Sequence, residues 1–249
     1  MQLSIIIPAY NEEKLLPKSI PKIQEAAEKA FDKEYAWEII LCDNASTDQT
    51  LAIARNFGLK VVSEFEHRIA KVRNTGAKSA QGDILLFIDA DTYPDVSLLK
   101  ELKAQISNTN FLGAGARIHI QGGSLWGKLR MERLNPLMKT FGYSWGAFLA
   151  CRRDTFEAIG GFNEDLYALE EIDFVRRLKK YGRKQGLRFF MLEGKFSSYG
   201  RKDELGIRAF IRLFISNTAA VIFLLLHSIL PKGWRPKANK KLFGFWYAR

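Results

Sequence analysis

The sequence predicts an α/β domain on a mostly parallel sheet flanked by helices, followed by a helical, basic C-terminal extension. Three observations predict it. Apolar runs of strand length alternate with helical patterns through the first 120 residues, the mark of successive βαβ units. Carboxylates cluster after several of those runs, at the strand ends where open α/β sheets bind ligands. The composition then changes over residues 201–249, which hold ten Lys/Arg against two acids, so this last fifth carries +8 of a net charge of +11.

The elements follow in order. Strand-like runs occupy 3–9, 37–42, 60–63, 84–90 and 111–120, with helical patterns at about 14–30, 48–57, 71–80 and 95–107 between them. Near-continuous apolar runs such as Leu3–Ile7 suit strands covered on both faces. Turn residues fall between the elements (Asn56 to Gly58, Gln81-Gly82-Asp83, Tyr93-Pro94-Asp95), and Asp95 suits a helix N-cap. Residues 121–146, with Gly122-Gly123, Trp126, Pro136, Phe141, Tyr143 and Trp145, read as a loop-rich contact segment. A strand at 147–151, a short helix near 154–159, a Gly160-Gly161 break, a helix over 171–181 and a last strand at 187–192 complete the domain, giving a boundary near residue 200.

Composition narrows the classes. At 249 residues, 47% hydrophobic and 26% charged, the chain can bury a sizeable core. Two cysteines, Cys42 and Cys151, are too few for a disulfide framework, and three scattered histidines show no metal-type spacing. The first residues enter a strand without a charged leader, so a cytoplasmic protein is expected. The basic end carries no nucleic-acid motif, so no nucleic-acid partner is expected.

The most informative stretch is Ile84-Leu-Leu-Phe-Ile-Asp89-Ala-Asp91. Residues two apart on a strand share a face, so Asp89 and Asp91 start on one side as a pair of hard oxygen donors. Such a pair suits Mg2+ or Mn2+, which fills the rest of its shell with water and substrate phosphates. On these residues alone, a strand ending in a solvated acidic turn fits as well. Two further clusters lie at parallel strand ends: Pro8-Ala-Tyr10-Asn11-Glu12-Glu13 and Asp43-Asn44-Ala-Ser-Thr-Asp48. Asp43 could accept from a base N–H; turn and N-cap duty is the plainer reading of Asp43 and Asp48. A fourth cluster, Glu170-Glu171-Ile-Asp173, opens a helix, where the dipole favours carboxylates and where a general base could sit.

These pieces, with Arg73-Asn74-x-Gly76, Gly82-Asp83 and Gly160-Gly-Phe-Asn-Glu164, occur in the order seen in family 2 glycosyltransferases of the GT-A fold, and the resemblance covers roughly residues 3–192. It implies transfer of a sugar from a nucleotide-diphosphate donor to an acceptor hydroxyl, with inversion. It also implies a nucleotide-sugar half at about 1–120 and an acceptor half at about 121–200. By that likeness Pro8, Tyr10 and Glu12 border the nucleotide, Asp43 reads the base, and Arg73 lies near the phosphates. Asp89 and Asp91 form the metal motif, with Asp91 in direct contact. Glu171 takes the general-base position with Glu170 as its rival, and Trp145 and Gly146 fall in the acceptor region. Many relatives carry a late histidine as an extra metal ligand; residues 189–203 have none, leaving Ser197, Ser198 or water for that place.

Other classes fit less well. A dinucleotide oxidoreductase lacks its glycine fingerprint after the first strand, and a nucleotidyltransferase lacks its glycine- and arginine-rich loop there. A non-catalytic nucleotide-sugar or glycan-binding module is the alternative, though binding alone needs neither carboxylate pair. The sequence leaves the donor sugar and the acceptor open; glycan, lipid-linked and small-molecule acceptors all fit. The uncharged run 213–230, between basic flanks and ahead of Phe243, Phe245, Trp246 and Tyr247, admits three readings: a packed helix, a helix lying on an anionic membrane at the inner face of the cell membrane, and a spanning helix.

Overall fold

A computed structural model of the chain describes residues 2–31, 35–120 and 146–199. The calls on Trp145, on most of the 121–150 acceptor segment and on the 213–230 helix lie outside these residues.

The first half follows the βαβ reading. Strands β1 (Leu3–Ala9), β2 (Trp37–Asp43), β3 (Lys60–Ser63) and β4 (Ile84–Ile88) form a parallel block in which β1 pairs with both β2 and β4, and β2 with β3. Alternation along the strands splits the core in two. Leu3, Ile5 and Ile7 of β1, with Leu86 and Ile88 of β4, face helices α1 (Leu16–Ala30) and α4 (Val96–Ile106). Ile6, Ile40, Leu85 and Phe87 face the opposite layer. That layer contains α3 (Ile69–Ser79), the short α5 (Arg153–Ala158) and α6 (Glu170–Lys184). A seven-residue α2 (Thr50–Asn56) links β2 to β3. Helix α1 buries Leu16, Ile20, Ile23 and Ala27 at helical spacing, and α3 approaches β1 so closely that a Cβ on Gly76 would lie 2.5 Å from Ile6 Cγ2.

The second half departs from simple alternation. Strands β5 (Thr92–Pro94), β6 (Phe111–Ile120), β7 (Phe148–Arg152) and β8 (Arg188–Ser198) extend the same sheet in the order β3-β2-β1-β4-β7-β6-β8-β5. The 111–120 segment does not continue the parallel block: β7 inserts antiparallel between β4 and β6. Among the described residues four strand pairings are parallel and three antiparallel, so the sheet is mixed but still mostly parallel. The last strand also runs six residues beyond 192. Its far end pairs antiparallel with β5, so Tyr93 and Pro94, read from the sequence as turn residues, lie in a strand, and this brings the segment after Asp91 beside Tyr199.

Candidate functional site

The carboxyl ends of β1, β2 and β4 share one edge of the sheet, and backbone-to-side-chain bonds hold their loops together. Asn11, at φ 53°, donates its N–H to Ser46 Oγ (2.9 Å) and accepts from the Thr47 N–H through Oδ1 (2.8 Å). The Glu12 N–H donates to Thr50 Oγ1, and Asp48 accepts from the Thr50 N–H and the Glu13 N–H. Asp48 therefore serves the start of α2, as its turn position suggests.

Asp43 is different. It is buried, its Oδ2 accepts from the Ser46 N–H at 3.2 Å, and its Oδ1 is buried with no hydrogen-bond partner. A buried acceptor without a donor is costly unless something supplies one. Pro8 is buried in β1, beyond Ile6, the last residue that β1 pairs with β4. Tyr10 stands at the edge, 39% exposed, and meets His67 edge-on with ring centroids 4.9 Å apart.

The expected strand stops short of the acidic pair. β4 ends at Ile88, and the Thr92 N–H closes a turn onto the Asp89 carbonyl at 2.9 Å, so a turn rather than strand alternation sets the two carboxylates. The Asp91 carbonyl accepts from the Tyr199 N–H at 3.0 Å, which ties the turn to the end of β8. Ser197 and Ser198 are buried in that strand, in register with Tyr93 and Thr92.

Arg73, on α3, joins the clusters. Its guanidinium is buried and bonds Glu170 Oε1 at 2.6 Å, Asp89 Oδ1 at 3.1 Å and the Gly146 carbonyl at 3.4 Å. A Cβ on Gly146 would sit 2.9 Å from Arg73 Nη2, so a larger residue there would have to displace the guanidinium. Burial works against the Arg73 charge, but Asp89, then Glu170 and Glu171, outweigh it and raise its pKa further above its high ordinary value. The next residue, Asn74, fixes the loop ahead of α6: its amide donates to the Phe162 carbonyl (3.0 Å) and to Glu164 Oε1 (2.8 Å), and its Oδ1 accepts from the Phe162 N–H (2.9 Å). Leu169, at φ 64°, turns the chain into α6 and presents Glu170 and Glu171 in its first turn.

The two glutamates have different surroundings. Glu170 is buried against Arg73 and so serves as a counterion. Glu171 is half-buried, beside Glu170 in the first turn of α6. Burial first, then the Glu170 charge, push it well above the usual carboxylate range, with Arg73 pulling the other way. Asp173 is committed to Arg177 at 2.6 Å, whose guanidinium also holds the Ile159 and Gly161 carbonyls, so it is a strut for the loop.

No group of three or more His, Cys, Asp and Glu able to hold a metal occurs among the described residues. The donor chemistry still fits a hard cation: two carboxylates on a half-exposed turn suit an ion that brings water and substrate phosphates as its remaining ligands. Phe65, His67 and Tyr199 are parts of the edge without a sequence expectation. An aromatic in a polar surface loop leaves no periodic signal.

Residues 4–160 match the family model "Glycosyl transferase family 2", and the chain belongs to that family. It is 35% identical over 112 residues to a poly(ribitol-phosphate) beta-N-acetylglucosaminyltransferase, TarS, of Staphylococcus aureus (43% of this chain, 19% of that protein). It is 31% identical over 140 residues to a dolichyl-phosphate beta-glucosyltransferase of Mus musculus (50% of this chain, 43% of that protein). The chain thus spans less than half the length of these relatives. Among solved structures, the mannosyltransferase PcManGT of Pyrobaculum calidifontis, in complex with GDP-Man and Mn2+, superposes with a TM-score of 0.66 at 19% identity, covering 97% of this chain and 69% of that one. TarS in complex with UDP-GlcNAc gives 0.59 at 23% identity, covering 80% and 58%. These two share the GT-A glycosyltransferase fold with the chain.

Proposed function

We propose that the chain transfers a sugar from a nucleotide-diphosphate donor to an acceptor hydroxyl, with inversion at the anomeric carbon. The observation that carries this reading is the Arg73 bridge, which sets the Asp89 turn and the Glu170-Glu171 helix start around one guanidinium. Pro8, Tyr10, Glu12 and Asp43 then border the nucleotide, the buried free Oδ1 of Asp43 accepting a base N–H. Asp91 and Asp89 would hold Mg2+ or Mn2+; when bound, the cation neutralises charge developing on the leaving diphosphate. Arg73 adds a fixed positive charge beside the same region and holds Glu170 as its counterion. Glu171 takes the proton from the acceptor hydroxyl, and its raised pKa makes it a stronger base than an ordinary carboxylate near neutral pH. Gly146, and Trp145 next to it, border the acceptor, whose class is a glycan, a lipid-linked group or a small molecule. The C-terminal basic segment would bring the site to an anionic membrane surface.

Two variants separate the donor and acceptor sides. Asp91→Asn should lower the transfer rate by about 100-fold or more, since a lost cation ligand is worth several kcal/mol. Glu171→Gln should abolish transfer while calorimetry gives unchanged nucleotide-diphosphate affinity. Weakened nucleotide binding in Glu171→Gln would move this residue to the donor side and overturn its role as base.

A further inference from the structure

Phe65 is 79% exposed, the largest exposure of any bulky apolar side chain among the described residues; the other one that stands out is Tyr10. An apolar ring held in water costs free energy, and a loose loop would let it fold back. This loop is not loose. The Glu64 N–H donates to the Asp43 carbonyl at 2.8 Å. The Asn44 amide donates to the Glu64 and Glu66 carbonyls, at 2.8 and 2.9 Å, and so clamps the backbone on both sides of Phe65. The Glu64 carboxylate accepts from Thr75 Oγ1 and from the Glu66 N–H, which pins the loop to α3. Two residues further on, His67 meets the Tyr10 ring. The β2–β3 register sets Ser63 opposite Asp43, so a pinned aromatic, a second exposed aromatic and a buried acceptor lacking a donor converge at one strand end.

We propose that Phe65 is a wall of a nucleobase subsite: it stacks on the face of the donor's base while Asp43 Oδ1 accepts from the base edge. The occupant follows from the chemistry. A planar π-system with a ring or exocyclic N–H satisfies the Asp43 oxygen and covers the exposed ring, whereas a phosphate, an acceptor with no face to stack, does neither. This rests on the nucleotide reading of Asp43 and Tyr10 above.

Calorimetric titration of the full chain with UDP, GDP and inorganic pyrophosphate, each with MnCl2, tests it. Phe65→Ala and Phe65→Leu should weaken binding of the accepted nucleotide by about fivefold or more, the range of base–aromatic stacking. Phe65→Tyr should stay within about twofold, and pyrophosphate affinity should be the same in every variant. Unchanged nucleotide affinity in Phe65→Ala, alongside a loss in Asp43→Asn, would overturn the stacking role and leave the nucleotide reading standing. A wild-type chain that binds pyrophosphate as tightly as either nucleotide, or binds neither nucleotide, would overturn both.

Discussion

At the scale of single residues, Arg73 governs the site. It is a buried cation with two carboxylate partners, and the two differ in exposure: the Asp89 side chain is 37% exposed, that of Glu170 only 6%. Removing one member of a buried pair leaves the other uncompensated, at a cost of about 3–5 kcal/mol. Glu170→Gln should therefore destabilise the fold by about 3 kcal/mol, the low end because Asp89 remains, and lower Tm by on the order of 10 °C in a calorimetric scan. Glu171→Gln should behave oppositely on the alkaline side. The folded state raises the Glu171 pKa, so the wild type keeps its full stability at acid pH. It loses stability as pH climbs from the ordinary carboxylate range through the folded value. Glutamine cannot ionise, so Glu171→Gln should gain more Tm over wild type at pH 9 than at pH 5, by about 2–4 °C for each kcal/mol recovered. An equal difference at both pH values would contradict the upward shift of this carboxyl. The same shift predicts that kcat/KM rises with pH along a limb well above the usual carboxylate range.

At the scale of elements, the loop from Phe162 to Leu169 is held by side chains rather than by a ladder. Asn74→Ala would strand the buried Phe162 N–H and carbonyl, at about 1–3 kcal/mol for each unmet group, and should release the start of α6. Hydrogen exchange at Phe162 and in the first turn of α6 should then accelerate while β1 and β4 stay protected. The elements were largely legible in the sequence because apolar runs and helical spacing mark them locally. Sheet order was not, because a strand in a parallel block and one beside an antiparallel neighbour carry the same apolar pattern. The second half of β8 was hidden by Glu193, Gly194 and Lys195, a charged, glycine-bearing stretch that reads as a turn. In the fold Gly194 is where α4 crosses: a Cβ there would lie 2.9 Å from Leu98 Cα. Likewise the helix over 171–181 runs on through Gly182, where a Cβ would strike Leu112, so this glycine marks close packing and not a stop. In the site, the carboxylates could be named from spacing, but the Arg73 bridge could not. It joins residues 16 and 97 positions apart in the chain, which only the folded sheet edge brings together.

At the scale of the whole molecule, the catalytic reading and the basic C-terminal segment are separable. No helix among the described residues is long and apolar enough to cross a membrane, and 213–230 lies outside them. If that segment attaches the protein to anionic lipid, the full chain should co-sediment with phosphatidylserine vesicles at low salt, release at high salt, and lose binding when truncated after residue 206. Co-sedimentation with neutral vesicles alone would contradict an electrostatic attachment. The central claim is that the sheet edge around Arg73 performs chemistry and does not merely hold a ligand. The most direct measurement is a screen of donor hydrolysis and transfer over UDP-, GDP- and dTDP-sugars, with manganese and with chelator, for wild type and Asp91→Asn. The account predicts turnover of one nucleotide class that requires the cation and falls about 100-fold or more in Asp91→Asn. A nucleotide-sugar that binds tightly yet is never cleaved, with or without manganese, would contradict it and make the domain a binding module.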